Sequence, residues 1–125
     1  RVVKMVGDAV LYVADDLETG AEVVSEVVNA LHATPNMPDV RASLVWGGIV
    51  SRFGDVFGPN VNLASRLTGV APEGEIVVDR KTAEALQELN REKYQLTENV
   101  GSELQGFGYI ESAILRVLPD SEPQY

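Results

Sequence analysis

Apolar positions along the chain switch between a period of two and a helical period, and Gly and Pro mark most of the switches. Val2 to Val6 and Ala9 to Ala14 are β-rich runs separated by Gly7-Asp8. A two-residue loop with Gly first suits a type II′ turn, which predicts a tight antiparallel hairpin. From Glu18 to Ala33, the residues Ala21, Val24, Val27, Val28 and Leu31 recur at helical spacing, and Thr34-Pro35 followed by Pro38 ends that helix in a loop. Val40, Ala42, Leu44 and Trp46 then alternate with Arg41, Ser43 and Val45, which predicts a strand with one strongly apolar face. Gly47-Gly48 breaks it, and Ile49 to Phe57 reads as a short projecting arm or hairpin.

Gly58-Pro59 opens a second helix, Asn60 to Thr68, with Pro where the first turn needs no amide donor. Glu75 to Asp79 is a short strand, and Asp79 is placed to N-cap a helix through Leu89. Lys93 to Glu98 and Tyr109 to Leu118 read as two further strands around a Gly101–Gly108 loop, and a polar tail follows Pro119. This succession predicts a mixed sheet covered by helices, an α/β or α+β sandwich. One domain over residues 1–118 and a tail over 119–125 is the expected organisation.

Composition narrows the chemistry. With 45% hydrophobic and 23% charged residues, the 125-residue chain is of ordinary globular make-up. The absence of cysteine excludes a disulfide framework and thiolate metal sites, and fits a reducing compartment. No apolar run approaches the roughly 18 residues of a membrane span. Ten basic against 19 acidic residues, a net charge of −9, argue against nucleic acid as a partner. The chain opens at Arg1, without Met, directly in a strand-like run, so it is expected to be a piece of a longer protein.

Asp8 in the hairpin turn reads most simply as turn chemistry, but a carboxylate on a rigid hairpin is also a good ligand for Mg²⁺ shared with phosphates. Lys4 lies within an otherwise apolar strand, where it either reaches solvent or is aimed at an acceptor. Asn62 and Arg66 are four apart, which puts both on one helical face. They form either a plain surface pair or a ribose- and phosphate-binding face, because Arg presents a planar fork of donors. His32 near a helix end suits a capping or surface role, and Trp46 a core or interface role.

The Lys4-Met5-Val6-Gly7-Asp8 hairpin is followed by Asp55-Val56-Phe57-Gly58-Pro59-Asn60-Val61-Asn62-Leu63-Ala64-Ser65-Arg66-Leu67. Together, in this order, these segments resemble the class III nucleotide cyclase catalytic domain. The short arm resembles a subgroup common among bacterial, notably mycobacterial, adenylyl cyclases. The likeness runs from Arg1 to about Leu118. It implies a ferredoxin-like core and a bacterial, cytoplasmic enzyme converting ATP to cyclic AMP and pyrophosphate. By resemblance, Lys4 and Asp55 read adenine, where guanylyl members typically carry Glu and Cys. Asp8 binds a pair of Mg²⁺ or Mn²⁺ ions with a second aspartate. Asn62 orients the ribose, and Arg66 stabilises charge on the α-phosphate.

The resemblance also implies a head-to-tail homodimer, with metal aspartates from one protomer and the adenine pair, Asn and Arg from the other. The family's first strand, which carries the other metal aspartate, has no counterpart here, and Asp15 and Asp16 do not match it. That strand is expected upstream in the parent protein, between the strands at 9–14 and 40–46. Without it the chain alone is expected to be inactive, the strand here being either cleaved away or replaced by rearranged or swapped pairing. Gln105 stands before Gly106 where relatives often have Lys near the triphosphate. The alternative expectation is a non-catalytic nucleotide-binding and dimerisation module. A diguanylate-cyclase-type relative ranks below both, because Gly47-Gly48-Ile49-Val50 lacks acidic residues.

Overall fold

The chain runs β1 (Val2–Val6), β2 (Ala9–Tyr12), α1 (Leu17–Ala33), β3 (Ala42–Leu44), β4 (Val50–Arg52), β5 (Asp55–Phe57), α2 (Pro59–Val70), β6 (Ile76–Asp79), α3 (Arg80–Asn90), β7 (Tyr94–Leu104) and β8 (Gly108–Val117). This is a computed structural model that describes residues 2–6, 9–48, 50–52 and 55–119; for 2–6, 50–52, 55–57 and 98–100 it describes the backbone alone. β3, β6, β8 and β7 form one sheet in that order. β3 and β6 are parallel, as a connection through helix α2 allows, and the other pairs are antiparallel. β1 pairs with β2 from Val6↔Ala9 outward, and β4 with β5, each as a separate two-stranded unit among the described residues.

The period of two in β6 sorts the helices into layers. Ile76 and Val78 face a core built from Leu17, Ala21 and Val28 of α1, Ala83 and Leu86 of α3, and Tyr94, Ala113 and Leu115 of the sheet. Val77, between them, faces the opposite side, where Leu63, Leu67, Ala71 and Leu104 close a second core under α2. The mixed sheet between helices therefore matches the sandwich the pattern predicts.

Three local details differ from that pattern. The third strand is shorter than 40–46, and Trp46 at its end is 38% exposed. The expected Gly101–Gly108 loop is instead strand, tight turn and strand. Gly101 lies under the Tyr109 ring, which leaves no room for a Cβ, while Gly106 (φ 87°) and Gly108 (φ 73°) supply the left-handed turn conformations. These glycines serve a hairpin, not a loop. Asp79 does stand at the N-cap of α3, but its carboxylate accepts from the Thr82 hydroxyl and not from a backbone amide.

Helix α1 starts at a cap the pattern missed. The Asp16 carboxylate accepts from the Thr19 amide at 2.7 Å and the Thr19 hydroxyl at 3.0 Å. These bonds, the amide first, hold its pKa below the ordinary carboxylate value. The cap therefore contributes its full share of stability above the unfolded value of about 3.9, and loses it as pH falls through the folded one. Asp16→Ala is expected to lower Tm by a few degrees at neutral pH. The difference from the parent should shrink below about pH 3.9, as thermal unfolding across pH would show. At the other end of α1, His32 is exposed with Nδ1 2.8 Å from Asp39 Oδ1, in keeping with a surface role.

Candidate active site

Helix α2 starts abruptly because Gly58, its N-cap, takes φ 132°, a conformation that side chains disfavour. Its carbonyl accepts from the amides of Val61 at 3.1 Å and Asn62 at 3.2 Å, and Pro59 fills a position that needs no donor. Leu63 and Leu67 are buried against Val77 and Leu104, with Val45, Phe107 and Ile110 packed alongside. Burying that stripe turns Asn62, Ser65 and Arg66 outward.

Those three residues meet the turn between β7 and β8. Phe107 packs onto the α2 core, its amide closing the turn on Leu104 O at 2.9 Å, and this holds Gln105 and Gly106 opposite the helix. Asn62, Ser65, Arg66, Gln105, Gly106 and Phe107 line an open cleft of about 460 Å³. None of the six is acidic, although the chain carries a net charge of −9. A permanently charged guanidinium, two side-chain amides and a hydroxyl offer donors suited to phosphate and sugar oxygens. Ser65 was not singled out from the sequence. Its spacing of three from Asn62 is the signal that could have found it.

A larger cavity of about 600 Å³ lies between α3 and the β7–β8 face. Its cation is already committed: Arg80 Nε lies 3.1 Å from Glu84 Oε1, and its guanidinium 3.4 Å from Glu111 Oε2. The Glu84 hydrogen bond and the Glu111 charge raise the Arg80 pKa further. That groove is an ion-paired seam between helix and sheet, so the smaller cleft is the better candidate.

The remaining candidates are placed by their strands. β1, which carries Lys4, runs against β5, which carries Asp55. β5 in turn leads through Gly58 directly into α2. Asp8 lies outside the described residues, and among those described no group of three or more His, Cys, Asp or Glu side chains could hold a metal ion. The described residues alone thus do not make a divalent-metal site.

A sequence profile described as "Adenylate and Guanylate cyclase catalytic domain" matches residues 40–116, which include α2, the β7–β8 turn and the whole cleft. The chain belongs to this cyclase catalytic-domain family. An adenylate cyclase of Glutamicibacter nicotianae is 39% identical over 111 residues, covering 89% of this chain and 27% of that protein. An adenylate cyclase of Streptomyces coelicolor is 46% identical over 86 residues, covering 69% of this chain and 23% of that protein. The chain therefore spans about a quarter of the length of these curated relatives. In fold, it resembles the crystal structure of an adenylate/guanylate cyclase/hydrolase from Silicibacter pomeroyi, with a TM-score of 0.72 at 23% identity, covering 97% of this chain and 73% of that one. No described helix of this cyclase domain is long and apolar enough to cross a membrane.

Proposed function

We propose that this domain belongs to an adenylate cyclase that converts ATP to 3′,5′-cyclic AMP and pyrophosphate. The observation that carries the reading is the Asn62/Arg66 face of α2 opening, with the 105–107 turn, onto a cleft with no acidic residue among its described lining. In the reaction the ribose 3′ hydroxyl releases its proton to solvent and its oxygen bonds to the α-phosphorus, the bond from that phosphorus to the β-phosphate bridge breaks, and pyrophosphate leaves. Negative charge gathers on the α-phosphate oxygens as this happens. Arg66 can meet that charge with paired N–H donors from a helix already anchored by Leu63 and Leu67. Asn62, one turn earlier, is suited to the ribose.

Lys4 and Asp55 read the adenine ring in this proposal, and the approach of β1 to β5 supports their acting as a pair. The sharing of each site between two copies, with Asp8 and a second carboxylate holding Mg²⁺ or Mn²⁺, remains part of the same proposal. So does an upstream strand between β2 and β3, neither of which pairs with the other among the described residues. The bacterial cytoplasm is the compartment that supplies its substrate.

The test is product formation by the full-length protein from ATP and from GTP with Mn²⁺. Cyclic AMP from ATP, abolished by a chelator, is expected. Nucleotide binding without either cyclic product would overturn the reading in favour of a non-catalytic binding module.

A further inference from the structure

The β4–β5 arm is two strands of three residues each, and a two-stranded hairpin that short is marginal by itself. Its placement therefore depends on its contacts with β1 and α2 and on how its base is held. The arm leaves β3 through Gly47 and Gly48, residues with unusual backbone freedom, and returns at Gly58. Among the described residues, a side chain joins the two ends. Asn60, in the first turn of α2, donates from Nδ2 to the Gly48 carbonyl at 2.8 Å. The same amide lies against Gly47 so closely that a Cβ there would overlap it.

The ground on both sides of this contact is firm. Trp46 donates its amide to Thr82 Oγ1 at 2.8 Å, and Thr82 is fully buried at the start of α3. Ser43 Oγ on β3 donates to the Ala64 carbonyl of α2 at 2.6 Å. β3 and α2 are thus tied to each other, and the Asn60–Gly48 bond hangs the arm from that frame.

We propose that Asn60 is a positioning residue that closes the base of the β4–β5 arm, setting Asp55 relative to Asn62 and Arg66 and thereby tuning which nucleotide base is preferred. The choice of base rests on the cyclase reading; the closure of the arm does not. Loss of the amide leaves the Gly48 carbonyl without this donor and frees two adjacent glycines to rotate. Arg66 stays where the α2 core holds it. Base discrimination should then suffer more than the chemical step, because hydrogen-bonded recognition fails with small displacements.

The experiment compares the full-length protein with Asn60→Ala, Asn60→Asp and Gly47→Ala. Asp keeps the shape of Asn but cannot donate to a carbonyl, and the methyl group added by Gly47→Ala pushes the native Asn60 amide aside. Hydrogen exchange of the β4–β5 amides should quicken in all three while that of α2 holds. The ATP-over-GTP ratio of kcat/KM should fall by about tenfold to a hundredfold, with kcat for ATP changed far less. Unchanged β4–β5 exchange in the variants overturns the proposal. So does a general loss of stability with the ATP-over-GTP ratio intact, which marks Asn60 as merely structural. If the parent protein turns over neither nucleotide, the cyclase reading fails instead, and the exchange comparison still decides whether Asn60 holds the arm.

Discussion

Arg66→Ala in the full-length protein is expected to lower kcat by about 10²–10³-fold while KM for ATP changes little. The guanidinium lines a cleft with no acidic residue among its described lining, where its donors can meet an oxyanion. Interactions that strengthen as charge builds on the α-phosphate raise kcat, whereas those present equally with bound substrate alter KM. Arg66 is exposed, and the apolar stripe of α2 does not include it, so the variant should unfold at the parent's temperature. Arg66→Lys retains the charge but not the planar fork, and is expected to recover part of the loss. Steady-state kinetics with Mn-ATP compares the parent with both variants. A rise in KM matching the fall in kcat/KM, with kcat intact, would assign Arg66 to ground-state binding.

The largest expected effect on stability is that of Leu67→Ala, about 2–5 kcal/mol. Leu67 is fully buried on the core side of α2, among Leu63, Ala71, Val77 and Leu104. Its removal opens a cavity between a helix and a sheet whose positions are set by other contacts, so collapse around it is incomplete. Val70→Ala on the same helix makes the control. Val70 is 43% exposed, and its truncation should cost well under half as much. Urea unfolding of the two variants gives the comparison, with equal losses ruling out this account of the α2 core. Because Leu67 neighbours Arg66, turnover in Leu67→Ala should fall with the folded fraction and recover at lower temperature.

Several elements were readable in the amino-acid order because their causes are local. Apolar positions every three or four residues mark α1, Gly58-Pro59 marks the start of α2, and Asp79 that of α3. Other features were missed because a residue type serves more than one end. Asp15 and Asp16 are both plausible caps, and only the carboxylate that reaches Thr19 stops the ambiguity. Gly101 looks like a loop residue until Tyr109 is seen covering it across the strand pair. Gly47 looks like a simple strand breaker until Asn60, distant in sequence, fills the space its missing side chain leaves.

The sequence by itself determined that Asn62 and Arg66 share a face, because 3.6 residues per turn brings positions four apart together wherever the helix lies. It determined, too, the order of the motifs that mark a class III cyclase domain. Only the tertiary structure decided what that face looks at. Gln105 and Gly106 stand opposite Arg66 because Phe107 and Leu104 bury on Leu63 and Leu67, and β1 lies against β5 through contacts between distant segments. Local periodicity says which residues seek burial, but hydrophobic attraction is non-directional and does not name their partners. Those are chosen by the packing of the whole chain.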